Sequence, residues 1–83
     1  MPSRQYSQPA LVPLTSIRVS QRKLNRLSRT KLDCYRSDLE NGDNFPPIIL
    51  TDCGAFYTIW DGRHRFAAHS LAGFGAIVAR IRS

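Results

Sequence analysis

Apolar residues recur along this chain in two rhythms, one of period two and one close to 3.6. Val12, Leu14, Ile17 and Val19 mark residues 11–19 as extended, with Pro13 confining part of the segment to a sheet edge. Residues 20–26 are polar and basic and read as a connector. From Ser28 the rhythm changes. Leu32, Tyr35 and Leu39 stand at i, i+3 and i+7, the spacing of one helix face. Ser28 suits the N-cap, and Asn41-Gly42 ends the helix with a glycine for the left-handed cap. Asp43-Asn44-Phe45-Pro46-Pro47 is a turn. Ile48-Ile49-Leu50 is a continuous apolar run, which predicts a strand covered on both faces. After the turn signal Asp52-Cys53-Gly54, Ala55, Tyr57 and Ile59 alternate with Phe56, Thr58 and Trp60, as in the second strand of a hairpin.

Asp61-Gly62 then breaks the strand, and a helix is predicted over 63–72. Its apolar face is Phe66, Ala67, Ser70 and Leu71, and Gly73 stands at its cap. In residues 76–82, Ile77, Ala79 and Ile81 face one way and Val78, Arg80 and Arg82 the other. The order strand, helix, hairpin, helix, strand predicts a compact α/β (α+β) domain, a small mixed sheet with two main helices. Residues 1–10 are polar, hold two prolines and show no period, so they read as a flexible arm before a single domain at 11–83.

Eighty-three residues suffice for one domain and not two. No run is long enough to span a bilayer, and the first residues lack the apolar core of a signal peptide. The chain therefore reads as a soluble, cytoplasmic protein. Cys34 and Cys53 form no CxxC, so neither zinc nor redox chemistry is signalled. Charge changes the picture more. The net charge is +6, and residues 1–30 carry all of it through Arg4, Arg18, Arg22, Lys23, Arg26 and Arg29; six bases and six acids balance over 31–83. A basic front on a neutral body suits an acidic partner, with nucleotide or DNA phosphates the first candidates.

Candidate chemistry concentrates in Trp60-Asp61-Gly62-Arg63-His64-Arg65-Phe66-Ala67-Ala68. A strand ends, a glycine turns the chain, and a helix begins at once. The first helical amides lack internal partners and sit at the positive end of the macrodipole, which together favour an anion. Arg63, His64 and Arg65 add side-chain donors, and arginine can grip phosphate with two parallel bonds. At about 100° per residue, Arg65 falls nearly opposite the apolar face, away from the core, with His69 on its side. Asp61 and His64 are the candidates for acid–base work. No metal site is signalled: His64 and His69 are not spaced i, i+4, and no third ligand stands near. Trp60 is the one aromatic placed for base stacking, with core packing as its competing role.

The span from about Val12 to Arg82 resembles the ParB/sulfiredoxin-like superfamily. The resemblance rests on the Val12-Pro13-Leu14-Thr15-Ser16-Ile17 opening, the helix ending in Asn41-Gly42, and the Phe45-Pro46-Pro47-Ile48-Ile49-Leu50 strand. It rests also on the turn-helix at 60–68, Leu71-Ala72-Gly73, and the last strand. ParB-type proteins carry a Gly-Glu-Arg-Arg type box at this turn and sulfiredoxins Gly-Cys-His-Arg; here it reads Gly62-Arg63-His64-Arg65. The resemblance implies nucleotide binding there, through Gly62, His64 and Arg65, joined by a basic residue after the first strand, Arg22 or Arg26. Arg63 stands where a sulfiredoxin has its cysteine, so the resemblance does not extend to sulfinic acid reduction. It also stands where ParB-type proteins have a glutamate linked to metal and nucleotide hydrolysis, and no carboxylate but Asp61 lies in the box.

Three functions follow as expectations. One is binding of a nucleotide, such as a nucleoside triphosphate, or of nucleic-acid phosphates, in DNA binding or in partition-like or mobile-element processes. Another is a small nuclease or nucleoside triphosphate hydrolase using Asp61 or His64. The third is a protein-interaction or inhibitor module that uses the same basic face.

Overall fold

Pro13 and the turn after it divide the first extended segment in two. The computed structural model of the chain describes residues 6–82. Strand β1 (Ala10–Pro13) is followed by a 3-10 turn over Leu14–Ser16 and by β2 (Ile17–Arg18). These strands do not pair with each other. The sheet order is β1-β5-β3-β4-β2, with β3 at Ile48–Asp52, β4 at Tyr57–Asp61 and β5 at Ala76–Arg82, so the two halves lie on opposite edges. In a flat sheet those edges would be about 19 Å apart. The four residue steps from Pro13 to Ile17 reach at most about 14 Å. The sheet must curl to bring its edges together, and the strands form an open, partly closed wall. The expected single strand at 11–19 is thus two short ones, split where Pro13 ends the ladder and the Leu14 amide bonds the Gly75 carbonyl at 3.0 Å.

Pairing is mixed. β3 runs antiparallel to β4, as the hairpin signals predict, and parallel to β5; β1 is antiparallel to β5, and β2 parallel to β4. In the hairpin turn, Asp52 Oδ1 accepts from the Gly54 amide at 2.8 Å and the Cys53 amide donates to the Phe56 carbonyl at 2.9 Å. β3 is central, and Ile48 and Leu50 are fully buried, whereas Ile49 on the other face is only half-buried. The core joins them to Val12, Ile17, Phe66, Ile77 and Ala79. Val78, Arg80 and Arg82 face away from it, as the alternation predicts.

Helix α2 (Arg29–Glu40) starts at Ser28, whose Oγ accepts from the Lys31 amide at 3.3 Å, and ends at Gly42 with φ +80°. Helix α3 (Arg63–Leu71) ends at Gly73, φ +85°, with the Phe74 amide on the His69 carbonyl. The polar segment read as a connector contains a further helix, α1 (Gln21–Asn25), capped by Ser20 through the Lys23 amide. Leu24 packs against the core from it, and Leu27, three residues on, is half-buried.

The apolar face of α3 differs from expectation. Phe66 and Ala67 are buried, but Ser70 and Leu71 are exposed, and Ala68 is 0% exposed instead. Three consecutive buried residues span about 200° of helix. That arc reflects burial on two flanks, by the sheet and by α2. Part of the expected flexible arm, residues 1–5, lies outside the described residues. Beyond it, Ser7 bonds Ile81 twice, its amide to the Ile81 carbonyl and its Oγ from the Ile81 amide. No helix among the described residues is long and apolar enough to cross a membrane.

Candidate phosphate-binding site

Gly62 is the N-cap of α3, with φ +111°, a conformation that disfavours any side chain. Space forbids one as well: a Cβ there would stand 2.5 Å from Ile48 Cγ2 and 2.7 Å from Ile48 Cβ. The turn is therefore pressed directly onto the central strand, and the first amides of α3 open beside it. A groove of about 510 Å³ lies at this point. It is lined by residues 60–65, by Lys23, Arg26 and Leu27 from α1 and the loop after it, and by Lys31 and Tyr35 from α2.

The four residues of the box have different work. Arg63 is exposed at the mouth of α3. His64 is turned toward α2: its Nε2 accepts the Ser28 amide at 2.9 Å, leaving the proton of the neutral ring on Nδ1. Its pKa is lowered, first by loss of solvent and then by the charges of Lys31 and Arg63. His64 is thus a neutral acceptor, not the third cation of a basic run.

Arg65 departs furthest from expectation. Its side chain is only 13% exposed; Nη1 donates to the Pro46 carbonyl at 2.8 Å, and Nη2 pairs with Asp61 Oδ2 at 3.1 Å. The helical wheel placed Arg65 away from the sheet correctly, but the loop at 43–47 passes over that flank of α3. A wheel gives a direction from its own axis and says nothing of what another segment lays there. His69, on the same side, bonds the Arg65 carbonyl at 2.7 Å and packs its ring near Phe45 and Phe74, outside the groove. Asp61 and His64, the acid–base candidates, are both engaged, one by a guanidinium and one by a backbone amide.

Arg26 lines the groove. Arg22 is exposed on α1 but does not line it; Lys23 and Lys31 do. Lys31 sat inside the predicted α2, where nothing in its spacing distinguished it from a solvated residue. It reaches the groove because Ser28, fixed by His64, sets where α2 begins. Trp60 is not core: it is 59% exposed, lines the groove, and has the Arg82 guanidinium 3.7 Å from its ring centre.

The sequence matches no protein-family model and no curated protein. Solved structures do match. A sulfiredoxin from Arabidopsis thaliana superposes with a TM-score of 0.79 at 22% identity, covering 92% of this chain and 85% of that one. A free serine kinase in complex with AMP gives 0.74 at 20% identity, covering 90% of this chain and 31% of the kinase. The C-terminally truncated chromosome-partitioning protein ParB from Caulobacter crescentus, complexed with CTP-gamma-S, gives 0.70 at 22% identity. That match covers 93% of this chain and 45% of that one, so this chain spans less than half of the ParB chain and about a third of the kinase. The curled five-stranded mixed sheet, with α3 springing from a glycine turn at the end of β4, is the ParB/sulfiredoxin-like fold.

Proposed function

We propose that this chain binds a nucleotide through its phosphates in the groove at the start of α3. The observation that carries the reading is the convergence of Lys23, Arg26, Lys31 and Arg63, from three helices and one loop, around a helix N-terminus. Backbone amides and the helix dipole favour an anion there, and the exposed cations can close on it. Leu27, Tyr35 and Trp60 give the same groove an apolar, aromatic wall. A phosphate carried on a base and sugar fits such a mixed surface better than an inorganic ion does. Two proteins of similar fold support the reading: the ParB structure holds CTP-gamma-S, and structures of the free serine kinase hold AMP or ADP.

Calorimetric titration with nucleotides tests it. Wild type should bind, Arg63→Ala and Lys31→Ala should weaken binding severalfold, and Arg22→Ala, outside the groove, should leave it unchanged. A short DNA duplex added as competitor separates nucleotide from nucleic-acid phosphate. Equal binding by wild type and the two groove variants would refute the assignment.

A further inference from the structure

The chain has six carboxylates in all. Asp33, Asp38 and Glu40 lie on α2, Asp43 follows it, and Asp52 stands at the far end of the hairpin from the groove. Only Asp61 lines the groove, and Arg65 holds it at 3.1 Å. Among the described residues, no three His, Cys, Asp or Glu side chains come together to hold an ion. Magnesium bound with a nucleotide wants oxygen ligands, usually one or two carboxylates beside the phosphates. The one carboxylate here already gives Oδ2 to Arg65, so this donor set fits magnesium poorly. The groove instead presents five cationic side chains, of which Arg65 is neutralised by Asp61. Four remain exposed to a ligand: Lys23, Arg26, Lys31 and Arg63.

We infer that the groove takes the polyphosphate of a nucleoside triphosphate in its metal-free form, with these four side chains neutralising the charge that a divalent cation neutralises in metal-dependent sites. The inference rests on the nucleotide-binding reading above and adds the state of the ligand. Two consequences follow from charge alone. A longer phosphate chain meets more of the four cations, so affinity rises from mono- to di- to triphosphate. Magnesium bound to the nucleotide would lower the ligand's net negative charge by two, so it should weaken binding to four cations instead of supporting it.

Titration of the full chain with ATP and CTP, each in EDTA and in excess magnesium, tests this. Binding in EDTA should be tighter by about two- to thirtyfold, the effect of losing two exposed charge contacts. In EDTA, ATP should bind more tightly than AMP, and Lys31→Ala or Arg63→Ala should narrow that gap. Tighter or equal binding in magnesium would overturn the inference and leave the nucleotide site standing, as would equal affinity for AMP and ATP. Absence of binding in both conditions would overturn the nucleotide reading itself.

Discussion

Replacing Gly62 by alanine asks whether the turn is held as tightly as its geometry implies. Two costs combine. At φ +111° a side chain pays for an unfavourable backbone conformation, about 1–2 kcal/mol. The added Cβ also falls 2.5 Å from Ile48 Cγ2 and 2.7 Å from Ile48 Cβ. Ile48 is 1% exposed on the central strand and cannot move aside; overpacking of this kind costs about 1–3 kcal/mol. Gly73→Ala supplies the control. It has φ +85°, with nothing within 4 Å of the added carbon, so it carries the backbone cost alone. Urea denaturation at equal m should place Gly62→Ala below Gly73→Ala by about 1–3 kcal/mol. For a domain of this size that difference is roughly 4–24 °C in Tm. Equal stability of the two variants would refute the claim that the turn is pressed onto β3.

Other residues of the turn give sharper contrasts. Arg65→Lys keeps the charge but loses the fork that reaches Pro46 and Asp61 together, and should cost about 1.5–3 kcal/mol in denaturation. His64 has a lowered pKa in the folded chain, so between that value and the unfolded 6.5 the unfolded state binds the extra proton. Its contribution is fully present above pH 6.5 and declines as pH falls toward the folded value. Urea midpoints should therefore drop from pH 7.5 to 5.5, and His64→Gln should flatten the change; a profile unaltered by His64→Gln would count against the Ser28 bond. Ser28→Ala removes the α2 cap and should lower stability by about 1 kcal/mol by the same assay. Arg63→Ala, at an exposed position with no ion pair among those described, should leave the midpoint within about 0.5 kcal/mol of wild type.

Much of the fold was legible because its signals are local. Ser28 at the N-cap, Gly42 and Gly73 past the helix ends, and alternation through β5 each rest on residues a few positions apart. What the sequence hid depends on segments distant along the chain. The parting of β1 and β2 to opposite edges needs the whole sheet order. The short helix α1 falls below the length at which period is visible, although Ser20 with Leu24 and Leu27 carries a faint signal. The burial of Arg65 depends on residues 43–47, some twenty positions away, and the inward turn of His64 on Ser28, 36 positions away.

The same distance effect decides what the Gly62-Arg63-His64-Arg65 box can do. Read as a string, it offers three donors to one anion. In the fold, Gly62 is pressed onto Ile48, His64 holds the start of α2, and Arg65 locks the turn to Asp61 and Pro46. Each of these contacts gives its group work within the fold, and together they aim the first amides of α3 and set where α2 begins. That placement brings Lys31 to the groove. Arg63 alone among the box's side chains points out with its charge uncompensated. The proposed binding surface therefore draws mostly on residues outside the motif, Lys23, Arg26 and Lys31, beside Arg63 inside it. Affinity should thus follow the charge of those four side chains, while stability follows the three that built the turn.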